Sequence, residues 1–288
     1  MPELPEVETM ARELAPLVIG AEIVEAWTDW PPAVRHPDVA GYLAALPGRR
    51  IEAVRRRAKW LVVDLDEGAF IIQVKMTGQL SVVPATTPLD PYVHATWTFR
   101  DGRQLRLRDV RKFARIGAYD DAALAETLAL HGPEPLDPAF TLAVFRSLLR
   151  SRRARLKPLL VDQAFLAGVG NIYADESLWR ARLHPLRHAR TLRPAHERRL
   201  YLALRALLAE AIERRGSSID DYTAPEGDGE MQEHLDVYQR TGQPCHRCGR
   251  PIRRFVLGTR GTHFCSWCQR LPAGQRDAAA RRLLRAGR

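Results

Sequence analysis

Four cysteines carry the most specific chemical signal in the chain. Cys245 and Cys248 form one C-x2-C pair, Cys265 and Cys268 a second, with sixteen residues between the pairs. Each pair sets two thiolates on a tight turn, and this spacing lies within the range of zinc-binding modules. Four sulfurs complete a tetrahedron and leave no position open to substrate, so the spacing predicts one structural Zn2+. The intervening "GRPIRRFVLGTRGTHF" alternates enough for a hairpin and carries Arg250, Arg253, Arg254 and Arg260. An arginine-studded hairpin suits phosphate contact, and solvated arginines are the plain alternative. His246 and His263 are read as surface residues, since four thiolates already suffice.

The opening "MPELPEVE" raises a second question of chemistry. Val7, Met10, Ala11, Leu14, Leu17 and Val18 recur at helical spacing over residues 5–18. Pro5 suits a first helical turn, Glu6 and Glu8 complement the dipole, and Gly20 marks a stop. Pro2 and Glu3 lie outside that helix and have no folding role. A third stretch, "GVGNIYADE" (168–176), joins two helical segments through a glycine loop. Free N–H groups at such a helix start attract phosphate, and Asn171 adds a side-chain donor. Arg152, Arg153, Arg155 and Lys157 lie just upstream. Packing explains a glycine loop on its own equally well.

These residues must be positioned by two kinds of structure. From residue 21 to 120 the chain alternates in short β-like runs, such as "AFIIQVKM" and "HATWTFR", separated by turn signals such as "LPGR" and "RDGR". "HGPEPLDP" (131–138) breaks the pattern, and amphipathic helical periodicity follows. The polar stretch 217–234 has no clear period and is long for a loop in a compact domain. There is no internal repeat.

A length of 288 residues favours two domains. Lys and Arg number 44 against 34 acidic residues, a formal charge of +10, which points to a polyanionic partner, nucleic acid before membrane. No apolar run approaches the roughly 20 residues of a membrane span, and the N-terminus lacks a signal-peptide pattern. The chain is therefore expected to be cytoplasmic. Four cysteines in a long chain of that kind do not suggest a disulfide scaffold.

Taken in order, "MPELPEVET", "RRAKWL", "MTGQL", "DVRKF", "HGPEPL", "GVGNIYADE" and the four-cysteine finger resemble the formamidopyrimidine-DNA glycosylase family, which includes the endonuclease VIII-type enzymes. The resemblance spans residues 1 to about 270. It implies an α+β fold with an N-terminal antiparallel β-sandwich flanked by helices. A C-terminal helical domain follows, with a helix–two-turn–helix motif and a β-hairpin zinc finger. The expected boundaries are 1–120 for the catalytic domain, 121–137 for a linker and 138–236 for the helix–two-turn–helix domain with a lid loop at 217–234. The finger is expected at 237–270 and a basic tail, helical or disordered, at 271–288.

The resemblance implies a bifunctional base-excision repair enzyme, a DNA glycosylase and abasic-site lyase acting on damaged double-stranded DNA. Pro2, freed of Met1, would attack the sugar as a secondary amine. An α-amino group has a pKa of about 7.7–8, so a useful fraction, roughly a tenth to a sixth, is neutral near pH 7. The resulting Schiff base is an electron sink for β,δ-elimination. Glu3 matches the proton donor, Lys59 the lysine of β-elimination and Arg260 the finger arginine of δ-elimination. Glu6 matches a second glutamate of the opening motif, which also serves as a helix-start residue.

Met76, Arg111 and Phe113 match the residues that fill the gap left by an extruded base. Asn171 matches a phosphate-binding asparagine, and Arg152 and Lys157 are taken as further DNA contacts. The family's DNA-binding histidine falls near Tyr92 and His94. "QVKM" replaces the more usual His-Leu-Gly-Met, and Val110 stands where proline is usual. The opening motif and the gap-filling set favour 8-oxoguanine and formamidopyrimidines over oxidised pyrimidines. The expected protein is a bacterial monomer, associated with the nucleoid while acting on DNA. A zinc-finger DNA-binding protein without catalysis is the competing reading, and a scaffold using the basic tail is a third.

Overall fold

A computed structural model describes residues 2–218 and 227–286. By internal contact the chain divides into two compact units, Met1–Leu130 with Ile212–Gln232 and His131–Ala211 with Glu233–Arg288. In the first unit, α1 (Leu4–Val18) precedes β1 (Ile23–Thr28) and α2 (Val39–Ala45). The strands β2 (Ile51–Arg57), β3 (Trp60–Leu65), β4 (Ala69–Gln73) and β5 (Gly78–Pro84) follow. Then come β6 (Val93–Phe99), β7 (Arg103–Asp109), β8 (Arg115–Tyr119) and α3 (Asp121–Ala129).

The strands form two antiparallel four-stranded sheets, β1-β6-β7-β5 and β2-β3-β4-β8. Both contribute to one core. Trp97, Phe99, Leu105 and Leu107 of the first sheet meet Leu61, Val63, Phe70 and Ile72 of the second, with Val7, Met10 and Leu14 of α1 joining them. Core burial removes apolar surface from water at about 25 cal/mol per Å2, which is what closes the sandwich. The Trp97 indole N–H, carried into this core, donates to the Tyr42 hydroxyl at 2.9 Å. The near-continuous apolar run of β3 has a simple cause. Leu61 and Val63 face this core, while Val62 packs with Ala69, Ile71 and Leu124 on the opposite face.

Leu124 belongs to α3, which corrects the expected linker at 121–137 over its first nine residues. Asp120 caps α3 by accepting from the Ala123 N–H at 2.8 Å. Periodicity alone missed this helix because only Leu124 of its nine residues is buried.

The second unit holds α4 (Leu142–Arg150), α5 (Leu156–Leu160) and α6 (Asn171–Arg180). It also holds most of α7 (Pro194–Glu213), the hairpin β9 (Arg253–Leu257) and β10 (Arg260–Phe264), and α8 (Ala278–Ala286). The basic tail is helical and docked. Ala280, Leu283 and Leu284 of α8 pack with Leu186, Phe255, Phe264 and Leu271. Of the polar stretch 217–234, residues 219–226 lie outside those described, and the remainder belongs mainly to the first unit. Among the described residues no helix is long and apolar enough to cross a membrane.

Candidate active site and zinc centre

Pro2 and Glu3 precede α1 and are buried, Glu3 to 2% exposure; Glu3 is the N-cap of the helix in a capping box with Glu6, which corrects the expectation that it has no folding role. Glu6, at 1% exposure, explains how they are held. One carboxylate oxygen accepts the Glu3 N–H at 2.8 Å, and the other accepts the Ser217 N–H at 2.8 Å. A carboxylate engaged by two backbone donors is a strong, charge-assisted anchor. Glu6 therefore ties the chain start to the near end of the 217–234 stretch. Gly216 allows this approach. Its φ is +74°, and a Cβ there would lie 2.8 Å from Cγ of Glu6. Sequence reasoning treated Glu6 as a candidate catalyst and missed the clamp, because Ser217 is 211 residues away.

Lys59 sits in the β2–β3 turn beside Ala58, which has φ +55° and is fully buried. Arg56 links this turn to α1. Its guanidinium donates to Glu8 at 3.1 Å and to the Ala58 carbonyl at 3.1 Å. Lys75, which the sequence reading passed over, shares this neighbourhood. Burial first, then the charges of Arg115, Arg35 and Lys59, hold its ammonium below the usual lysine range. The region is thus a basic cluster next to a carboxylate-clamped helix start.

Met76 lies in the β4–β5 turn and is half-buried. Arg111 and Phe113 lie in the β7–β8 turn and are exposed, with the Arg111 guanidinium 4.8 Å from the Phe113 ring centroid. A buried polar pair ties the two turns together. The Thr77 hydroxyl donates to Asp109, whose other oxygen accepts the Ala114 N–H at 2.7 Å, while the Arg111 N–H reaches the Thr77 oxygen at 3.3 Å. Lys75 and Lys112 take φ values of +56° and +55° beside Met76 and between Arg111 and Phe113. With Ala58, three left-handed non-glycine residues flank candidate site residues. Such conformations cost free energy and persist only where the surroundings enforce them.

In the second unit, Gln163 shapes the glycine loop. Its amide donates to the Val169 carbonyl at 2.7 Å, and its oxygen accepts the Gly168 N–H at 2.9 Å. Asn171 opens α6 and keeps a buried Oδ1 without a hydrogen-bond partner among the described residues. Arg152 is exposed and Arg260 begins β10 at the hairpin turn, also exposed.

Lys157 requires a correction. It is 1% exposed, its Nζ lies 2.7 Å from Asp175 and it donates to the Gly261 carbonyl at 2.7 Å. It is committed to the protein interior and presents no charge to an external phosphate. His263, expected at the surface, is likewise buried, and its N–H donates to Asp175 at 2.8 Å. Asp175 thus joins α5 and α6 to β10, the strand that carries Arg260. Its neighbour Glu176 does the same for the start of the finger, accepting the N–H groups of Asp236, Val237 and Tyr238 at 2.7–2.9 Å. Complete burial pushes Glu176 up to about 7 in spite of those three donors.

The four cysteine Sγ atoms lie within 4.8 Å of one another, and those of Cys248 and Cys265 are 3.5 Å apart. A tetrahedron with Zn–S of about 2.3 Å requires sulfurs about 3.8 Å apart, so the cluster fits zinc closely. Its electrostatics point the same way. Burial works to raise Cys245, but the Trp179 indole and the Arg247 and Cys248 N–H groups outweigh it and bring this thiol to about 7. Burial and the neighbouring Cys248 and Cys265 push Cys268 up to about 12. Four thiolates cannot accumulate here without a cation among them.

Residues 1–116 match the formamidopyrimidine-DNA glycosylase N-terminal domain, and residues 131–223 the H2TH domain of the same enzymes. Residues 242–271 match the zinc finger found in FPG and IleRS. The chain belongs to the formamidopyrimidine-DNA glycosylase family. The formamidopyrimidine-DNA glycosylase of Roseiflexus sp. (strain RS-1) is 44% identical over 273 residues, covering 94% of this chain and 100% of that protein.

Wild-type Lactococcus lactis Fpg (MutM), solved with DNA containing N7-benzyl-Fapy-dG, superposes with a TM-score of 0.88 at 36% identity, covering 94% of this chain and all of that one. MutM solved with carbocyclic 8-oxo-G containing DNA gives 0.87 at 34% identity, covering 94% of this chain and 100% of that chain. The fold is therefore that of the formamidopyrimidine-DNA glycosylases, with a zinc finger whose four cysteines hold one structural Zn2+.

Of the two residues near the family's DNA-binding histidine, only Tyr92 faces outward. It is 43% exposed with the Arg108 guanidinium 5.0 Å from its ring centroid. His94 is 5% exposed, and its Nδ1 is 2.8 Å from Asp29. His94 is thus corrected from a candidate DNA contact to an interior residue.

Proposed function

We propose that this formamidopyrimidine-DNA glycosylase family member removes oxidised purines from duplex DNA and then cleaves the strand at the abasic site. The observation that carries the reading is the clamped helix start. Glu6 fixes the backbone at Glu3, and the Glu8–Arg56 contact brings the Lys59 turn against the same helix. On this reading the nucleophile, acid and elimination lysine share one hydrogen-bonded scaffold, which supports the near-attack geometry the reaction requires.

In this mechanism the Pro2 nitrogen, unacylated once Met1 is removed, attacks the anomeric carbon. The C–N bond to the base breaks, and a proton supplied from Glu3 completes the departure. The C1′–O4′ bond of the sugar then opens, with a proton to O4′, to give the iminium, whose nitrogen draws electrons from the neighbouring carbon; the proton of that carbon passes to a base assisted by Lys59, and the 3′ phosphate leaves. Arg260 would bind the phosphate that leaves in the second elimination. Met76, Arg111 and Phe113 would occupy the space of the extruded base. The enzyme would act as a monomer on bacterial DNA in the cytoplasm.

The test is borohydride trapping on duplexes carrying 8-oxoguanine opposite cytosine or an oxidised pyrimidine. A covalent adduct at Pro2, forming faster with 8-oxoguanine, is the expected result. Intact mass should show Met1 absent. Undiminished lyase activity after N-terminal acetylation would refute the amine mechanism.

A further inference from the structure

The C-terminal helix does more than cover the zinc hairpin. Arg276 and Leu284 lie beyond residue 271, where the match to the zinc finger ends. Together with the hairpin they wall an open cleft of about 190 Å3, room for a phosphate group and part of the molecule that carries it. Phe255 and Phe264 form its aromatic base, packed edge to face with ring centroids 5.2 Å apart, and Leu284 adds an apolar side. Three arginines line it: Arg253 from β9, Arg270 after the last cysteine and Arg276 before α8. No carboxylate lines the cleft, and among the described residues none of the three arginines has an ion-pair partner.

The arrangement is built rather than incidental. The Arg276 Nε donates to the Leu271 carbonyl at 3.1 Å, which sets the direction of its guanidinium. The tail itself is pinned by Asp277, 2.7 Å from Arg155, and by Gln275, which accepts the His188 N–H at 3.0 Å and donates to Thr191 at 2.9 Å. Arg270 is stacked 3.7 Å from the Trp267 ring, itself sandwiched by Arg250 at 3.6 Å. His184, on the cleft wall, is pushed down to about 3 by burial and by the charges of Arg155 and Arg276, so it adds no charge and stays an apolar, stacking surface. Like charges gathered without a counter-ion create a standing demand for an anion. Guanidiniums meet phosphate oxygens in paired, directional hydrogen bonds.

We propose that the cleft between the zinc hairpin and the C-terminal helix binds the phosphate group of a nucleotide, with the base or sugar against Phe255, Phe264 and Leu284. The phosphate would come from a free nucleotide or from the end of a DNA strand. The site lies wholly in the second unit, so it stands or falls independently of the Pro2 chemistry.

The test is calorimetric titration of the zinc-loaded, full-length protein with inorganic phosphate, dGMP and a short 5′-phosphorylated single strand. Saturable binding of dGMP, tighter than inorganic phosphate, is expected. Arg253→Gln and Arg276→Gln should each weaken it about tenfold, the scale of one charge-assisted hydrogen bond. Arg276→Lys, which keeps the charge, should fall between. Arg282→Gln, on the exposed face of the same helix, should change nothing. Binding of the strand alone, weakened by the same two variants, would assign the site to a strand end. No binding of any of the three would overturn the proposal. So would binding that is equally weakened by Arg282→Gln or indifferent to Arg253→Gln and Arg276→Gln, provided zinc content and circular dichroism match the parent protein.

Discussion

Glu6→Gln isolates the clamp at the start of the chain. The native carboxylate accepts two backbone N–H groups, one from Glu3 and one from Ser217, each at 2.8 Å. Glutamine has the same shape but only one acceptor oxygen, so its NH2 group must face one of the two donors. One charge-assisted bond is lost and one buried N–H is left without a partner, a cost of about 2–4 kcal/mol. That strain falls on the backbone between Pro2 and Leu4 or on the chain at Ser217. A misplacement of about 1 Å at a nucleophile lowers a rate on the order of 100-fold.

Single-turnover excision of 8-oxoguanine, followed across pH, is the appropriate assay. The expected result is a rate lowered about 30- to 100-fold with the shape of the pH profile retained, since positioning scales the rate without removing a titration. Loss of one limb of the profile would instead make Glu6 a proton-transfer group. An unchanged rate and unchanged denaturation midpoint would refute the clamp altogether.

Removing the buried ammonium in Lys157→Met strands the Asp175 carboxylate at 0% exposure, and denaturant titration should show a loss of about 3–5 kcal/mol, partly recovered by adding Asp175→Asn; a loss below about 1 kcal/mol would refute the brace. Chelation or Cys268→Ser should release about one zinc per chain and abolish DNA binding, because the metal free energy is folding free energy for the finger; a metal-free finger that still binds would contradict this. His184 is neutral in the folded protein, with its pKa held at about 3 against an ordinary 6.5. The unfolded chain therefore takes up the proton first, and the stability tied to His184 is full above pH 6.5 and declines as pH falls toward 3. The loss is about 5 kcal/mol at the acid end, and a His184→Gln variant should lack this slope when both proteins are titrated in parallel.

Much of the architecture could be read before any coordinates. The cysteine spacing is set by the geometry of a tetrahedral metal and survives any context. The periodicity of α1 and the alternation of the strands record which face meets the core, so both sheets were visible as runs. Other features depend on contacts remote in sequence. Nothing local to Lys157 says that its partner is Asp175, and a lysine in a basic stretch reads as exposed until the buried carboxylate is seen. His94 and Tyr92 differ by two residues on β6 and its approach, yet one is interior and the other exposed. Thr77 and Asp109 are unremarkable polar residues 32 apart until pairing of β5 with β7 brings them together. The helix α3 escaped notice because it buries one side chain and relies on its cap.

The clamp at the chain start also bears on how the protein is made. Pro2 ends up buried, and Glu6, which holds the neighbouring Glu3 N–H, is joined by Ser217 only when the chain is 211 residues longer. At about 5–20 residues per second, ribosomal synthesis leaves an interval of roughly 10–40 s between the two. During that interval the first peptide bond is an open substrate for an aminopeptidase. Once Ser217 has joined Glu6, Pro2 is part of a completed interior. On the proposed mechanism, removal of Met1 is thus a race against translation, and expression at rates that outrun the peptidase should yield a folded but chemically silent fraction.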